Sequence, residues 1–167
     1  VEEKHMIEEI VKKQREYYFA GHTRSLSARK EVLKKLRKVL LDMHQDIYDA
    51  FKLDYNKCEF DVISTEYSLV IQEIDFMLHH LKKFMRPKRV ATSLVNVISS
   101  GYIYKEPYGV TLVMSPWNYP LQLAMVPVVA SLAAGNTVVL KPSKYAWNVS
   151  LVLQKIASQF DPRLFSV

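Results

Sequence analysis

Through the first half of the chain apolar side chains recur at steps of three and four residues; after Pro87 they fall into short runs separated by helix-length stretches. The positions Met6, Ile7, Ile10, Val11, Tyr17 and Tyr18, with charges between them, predict an amphipathic helix over 6–19 that Gly21 ends. A second helix is expected to start near Ser25 or Ser27, whose hydroxyls can accept from an unpaired first-turn amide, and to run through Leu33, Leu36, Leu40, Ile47 and Phe51. The third pattern, Phe60, Ile63, Tyr67, Val70, Ile74, Met77, Leu81 and Phe84, predicts one helix over 59–85 that Pro87 closes.

Beyond Pro87 the texture is α/β. Val95–Ile98 and Tyr102–Tyr104, flanking Ser99, Ser100 and Gly101, read as a hairpin. A regular alternation follows: strand 110–114, helix 119–134, strand 137–140, helix 147–160 and a last strand over 164–167. Gly135 and Asn136 both tolerate left-handed backbone and should end the first of these helices. The expected fold is therefore α/β, with amino-terminal helices (1–90) packing on a hairpin and an incomplete doubly wound parallel sheet (91–167) of the nucleotide-binding kind. A sheet stopping at Val167 leaves apolar faces and edges to be covered, so the chain is expected to be a fragment or to be covered by another chain.

Composition narrows the classes. With 49% hydrophobic and 24% charged residues the chain can bury a core, and no run reaches the roughly 18 apolar residues of a membrane span, because 121–134 is short and contains Pro127. The first residues are charged and leader-free, so a cytoplasmic location is expected. One cysteine, Cys58, excludes an internal disulfide, and with no matched histidines no metal site is expected; His79 and His80 are adjacent on a helix and point apart. The net charge of +6 concentrates in 12–38 and 82–89. Such runs suit either solvated helix faces, the expected case with no nucleic acid bound, or a basic module for nucleic acid or an acidic partner, which high salt would release.

The chemistry concentrates in 106–143, EPYGVTLVMSPWNYPLQLAMVPVVASLAAGNTVVLKPS. Strand 110–114 delivers Ser115, Pro116, Trp117 and Asn118 to the carboxyl edge of the sheet, where open α/β folds bind ligands. Asn118 is expected at the start of the next helix, a neutral double donor beside the positive end of a dipole, suited to an oxyanion; taken without the surrounding motif it reads rather as a helix cap. One strand later Lys141 and Ser143 bring a cation and a hydroxyl to the same crevice. The four glycines include no glycine-rich loop after the first strand, so the usual dinucleotide fingerprint and the P-loop are absent.

The block Pro116-Trp117-Asn118-Tyr119-Pro120, followed by Ala134-Gly135-Asn136-Thr137-Val138-Val139-Leu140-Lys141-Pro142-Ser143, resembles the aldehyde dehydrogenase superfamily. Tyr104–Val110 and Leu81–Val90 are similar to its class 3 branch, and the resemblance covers nearly the whole chain, about the first third of a family member. It implies oxidation of medium or long aliphatic or aromatic aldehydes with NAD or NADP, in a homodimer. It implies that Asn118 stabilises the oxyanion, that Met114, Ser115, Pro116 and Trp117 lie along the cofactor, and that Lys141 binds its adenosine ribose. A cysteine thiolate would add to the aldehyde to form a thiohemiacetal, whose former aldehyde carbon would give its hydride to the nicotinamide and become a thioester for glutamate-activated water to hydrolyse; neither that cysteine nor that glutamate has a match here. Where many members carry glutamate three positions after the lysine, this chain has Lys144, which would attract a 2′-phosphate rather than repel it. A short inactive regulatory relative is the other outcome compatible with the motifs, and the 167 residues alone are expected to be inactive.

Overall fold

The computed structural model describes residues 2–93, 95 and 98–167. Helix α1, Glu2–Phe19, ends at Gly21, which takes φ +82. Helix α2, Leu26–Asp42, starts where the Ser25 hydroxyl accepts from the Ala28 amide at 3.1 Å, so Ser25 and not Ser27 is the cap. The expected single second helix is two: Met43 leaves helical angles (φ −102, ψ 15), and α3, His44–Tyr55, runs to a left-handed Asn56. The apolar period carries across the break because Leu40 and Ile47 both still face the core.

The expected 59–85 helix is also interrupted. Helix α4, Glu59–Val62, passes through a π turn, Ile63–Tyr67, into α5, Ser68–Phe84. The Ser68 hydroxyl donates to the Ile63 carbonyl at 2.6 Å, five residues back, as the wider turn allows. The turn buries Glu66 and Tyr67, and the Tyr67 hydroxyl donates to the Leu40 carbonyl at 3.0 Å.

The hairpin differs from the expected one. Strand β1, Lys88–Val90, pairs antiparallel with β2, Gly101–Ile103, matching Arg89 to Tyr102 and Val90 to Gly101. The expected partner segment, Val95–Ile98, falls partly outside the described residues at Asn96 and Val97, as does Leu94 beside it; Val95 and Ile98 are fully exposed. Gly101 fits opposite Val90 because a Cβ there would sit 3.1 Å from the valine methyl. Clustered apolar residues suggested a strand at 95–98, but Val95 and Ile98 lie in solvent, where an apolar side chain gains little from pairing.

Strands β3, Val110–Met114, β4, Thr137–Lys141, and β5, Phe165–Ser166, form a parallel sheet in the order β3-β4-β5, connected by α6, Gln122–Ala134, and α7, Trp147–Ala157. One buried core runs from Leu33, Leu36, Phe51 and Ile74 of the early helices to Met125, Val128, Leu140, Leu153 and Phe165. Helix α6 is apolar nearly all round because it is covered on several sides at once. No helix among the described residues is long and apolar enough to cross a membrane.

Three polar side chains tie the elements together. Gln14 of α1 is fully buried, and its amide donates to the Val138 carbonyl (2.9 Å), the Pro162 carbonyl (3.2 Å) and the Ser166 hydroxyl (3.0 Å). Buried Arg29 donates to the Thr23 and Ala133 carbonyls, the latter in the last turn of α6, where a cation suits the dipole. Asn136 accepts from the Gly109 amide at 2.9 Å and donates to the Ser131 carbonyl at 3.2 Å. Only Gly135 takes the left-handed angle expected of that pair; Asn136 contributes its side chain instead.

Candidate active site

The register sets Met114 beside Lys141 at the carboxyl edge, and one further bond, Ser115 amide to Lys141 carbonyl at 3.2 Å, extends the ladder past β3. The backbone then turns away. Met114, Pro116, Trp117 and Asn118 are exposed, whereas Ser115 is buried and, among the described residues, its hydroxyl has no hydrogen-bond partner. Lys141 and Lys144 are exposed at the end of the neighbouring strand, with the Lys144 ammonium 5.3 Å from the centre of the Tyr145 ring. The Ser143 hydroxyl accepts from the Tyr145 amide at 3.3 Å, which shapes the turn into α7. The sheet thus brings 114–118 and 141–144 to one edge.

Asn118 does not sit at the start of α6, as its motif position suggested. The helix begins at Gln122, and Asn118 lies in the connection ahead of it with an exposed side chain. Two residues from the amino-terminal helices take the helix ends instead. Glu66, with 0% exposure, accepts from the Leu121 amide at 3.0 Å and the Gln122 amide at 3.1 Å through one oxygen, and from the Lys57 ammonium at 3.2 Å through the other. Asp54 accepts from the Asn148 and Val149 amides at 3.1 and 2.9 Å and from the Asn148 side chain at 2.7 Å. Carboxylates on unpaired first-turn amides stabilise a helix through both the bonds and the dipole. The start of α6 is therefore filled by the protein's own negative charge, and so is that of α7; neither is free for a phosphate.

Burial pushes the Glu66 carboxyl above the usual carboxylate range, opposed by its bonds to Gln122, Lys57 and Leu121. Lys57 in turn lies over the rings of Tyr119 (5.2 Å), Phe51 (5.4 Å) and Tyr55 (5.9 Å). The Tyr55 hydroxyl donates to the Trp117 carbonyl at 2.6 Å, and burial raises its pKa.

A model of the Aldehyde dehydrogenase family matches residues 2–167. The chain belongs to that family. Its relatives include Aldehyde dehydrogenase family 3 member B1 of Homo sapiens, 37% identical over 160 residues, which are 95% of this chain and 34% of that protein. Aldehyde dehydrogenase family 3 comG of Dictyostelium discoideum is 35% identical over 157 residues, 93% of this chain and 33% of the relative. The solved structure of Staphylococcus aureus AldH in a substrate-bound state superposes with a TM-score of 0.93 at 34% identity, covering 96% of this chain and 35% of that one. The chain spans about a third of the length of these relatives.

In this aldehyde dehydrogenase segment the motif residues Met114, Ser115, Pro116, Trp117, Asn118, Lys141, Ser143 and Lys144 share one edge of the sheet, as their order along the alternating strands and helices implied. The residues that hold the edge were not legible. Glu66 carried no motif, and its one signal was a charge placed between Ile63 and Tyr67 in an otherwise apolar helical stripe. Cys58 is free and exposed, and His80 bonds the Phe76 carbonyl and stacks on Phe84, a packing role. Among the described residues no group of three or more His, Cys, Asp or Glu is placed to hold a metal.

Proposed function

We propose that this segment supplies the oxyanion-stabilising asparagine and one wall of the cofactor cleft of a cytosolic, homodimeric, NAD(P)-dependent enzyme that oxidises medium or long aliphatic or aromatic aldehydes to carboxylic acids. The observation that carries the reading is the placement of Asn118: an exposed carboxamide on the connection that leaves the carboxyl edge of a parallel sheet. When a thiolate from outside this segment attacks the aldehyde carbon, the carbonyl oxygen takes up negative charge. An Asn118 N–H donates to that oxygen more strongly as the charge grows, so the interaction favours the transition state over the bound substrate.

Exposed apolar surface at Met114 and Trp117 and the exposed Lys141 ammonium suit a nucleotide, with buried Ser115 contributing the backbone between Met114 and Trp117. Lys141 would hold the adenosine ribose, with Ser143 beside it and Met114 to Trp117 along the dinucleotide. NAD(P), when bound, supplies the hydride acceptor. Because Glu66 and Asp54 fill the starts of α6 and α7, the dinucleotide's phosphates are held elsewhere. Lys144 favours acceptance of NADP at least comparably to NAD.

The test uses the full-length gene product. Asn118→Ala should lower kcat by about 10²–10³ with little change in the KM for NAD(P), and an unchanged kcat would end this reading. The 167-residue chain by itself should form no NADH or NADPH from an aldehyde.

A further inference from the structure

Asn118 is exposed, yet the backbone on both sides of it is gripped by residues far away in sequence. Before it, the Trp117 carbonyl accepts from the Tyr55 hydroxyl at 2.6 Å. After it, the Tyr119 ring lies 5.2 Å from the Lys57 ammonium, and the Leu121 and Gln122 amides end on the Glu66 carboxylate. Lys57 and Glu66 join the two grips at 3.2 Å, and Lys57 is 5.9 Å from the Tyr55 ring. Tyr55 closes α3, Lys57 follows it after the left-handed Asn56, and Glu66 is turned inward by the π turn. The break after α3 and the π turn thus both serve one connection.

We propose that Tyr55, Lys57 and Glu66 are positioning residues for Asn118: together they fix the path of 117–122 so that the carboxamide faces a developing oxyanion. The proposal rests on the function read above. None of the three needs to touch substrate or cofactor. A buried ion pair adds little net stability over an apolar replacement, but when its bonds are complete it admits one arrangement. Misplacing a reacting group by about 1 Å costs about a hundredfold in rate, so small changes in these grips should be read in kcat.

The experiment is a double-variant comparison in the full-length enzyme, with rates expressed per folded enzyme. Tyr55→Phe deletes one hydroxyl and is the mildest variant; Lys57→Met and Glu66→Gln break the pair. Each should lower kcat roughly tenfold to a hundredfold at nearly constant KM for aldehyde and NAD(P), and Lys57→Arg should restore most of the loss from Lys57→Met. In an Asn118→Ala background Tyr55→Phe should have almost no further effect, because the group it positions is gone. An equal kcat loss from Tyr55→Phe in both backgrounds would overturn the proposal, as would a loss confined to the amount of folded enzyme. Failure of the functional reading looks different, since Asn118→Ala alone would then leave kcat unchanged.

Discussion

The Arg29 guanidinium occupies the space that a side chain on Gly135 would need: a Cβ built there falls 2.6 Å from its Cζ. Gly135 also takes φ +94, so two independent constraints select glycine at the end of α6. Gly135→Ala is expected to cost about 2–3 kcal/mol, the sum of a left-handed backbone and a displaced buried cation. Urea denaturation measures it. In an Arg29→Ala background the penalty should shrink to the backbone part, about 1–2 kcal/mol; a penalty of the same size in both backgrounds would show that the close approach contributes nothing.

Gln14 is the buried link between α1 and strands β4 and β5. Gln14→Ala should destabilise by about 1–3 kcal/mol, because it leaves the Val138 carbonyl buried without that donor. The same variant should raise the rate of proteolytic cleavage between α1 and α2 under native conditions. Full protection would mean that α1 stays docked through its apolar contacts alone.

Lys144 stands exposed at the carboxyl edge of the sheet. Lys144→Glu in the full-length enzyme should shift the ratio of the two coenzyme Michaelis constants toward NAD by about tenfold, as a carboxylate repels a 2′-phosphate and accepts from ribose hydroxyls. The shift should shrink as salt is raised, since an exposed charge is screened. An unchanged coenzyme ratio would remove Lys144 from the account.

Asp161 accepts from the Arg163 guanidinium at 2.7–3.1 Å, and this pairing holds its carboxyl below the usual range. The folded-state value lies below the unfolded one, so the contribution to stability is present above about pH 4 and is lost as pH falls through the depressed value. Because Arg163 is exposed, solvent screens the pair and its contribution to stability is small. Asp161→Asn should therefore lower the urea midpoint slightly at pH 7, and the difference from the parent should close as pH falls through the depressed value of the Asp161 carboxyl. A difference independent of pH would point to the turn geometry rather than to charge.

Local order along the chain decided the central strands, the start of α2 and the end of α6. The β-branched runs at Val110–Met114 and Thr137–Lys141, the glycine after Ala134 and the serine before Leu26 are short-range signals, and each element formed close to where its residues placed it. The motif at 116–120 was readable for the same reason, since strand, connection and helix start are contiguous. Register and capping were not, because they depend on which surfaces meet. Apolar clustering favoured Val95–Ile98 as a strand, whereas β2 pairs with Lys88–Val90. The start of α6 is capped by Glu66, 55 residues away, and that of α7 by Asp54, 94 residues away from Asn148. Periodicity records which side of a helix is apolar; it carries no information about which distant polar group the folded core will bring to an unpaired amide, and that was decided only when the helices packed on the sheet.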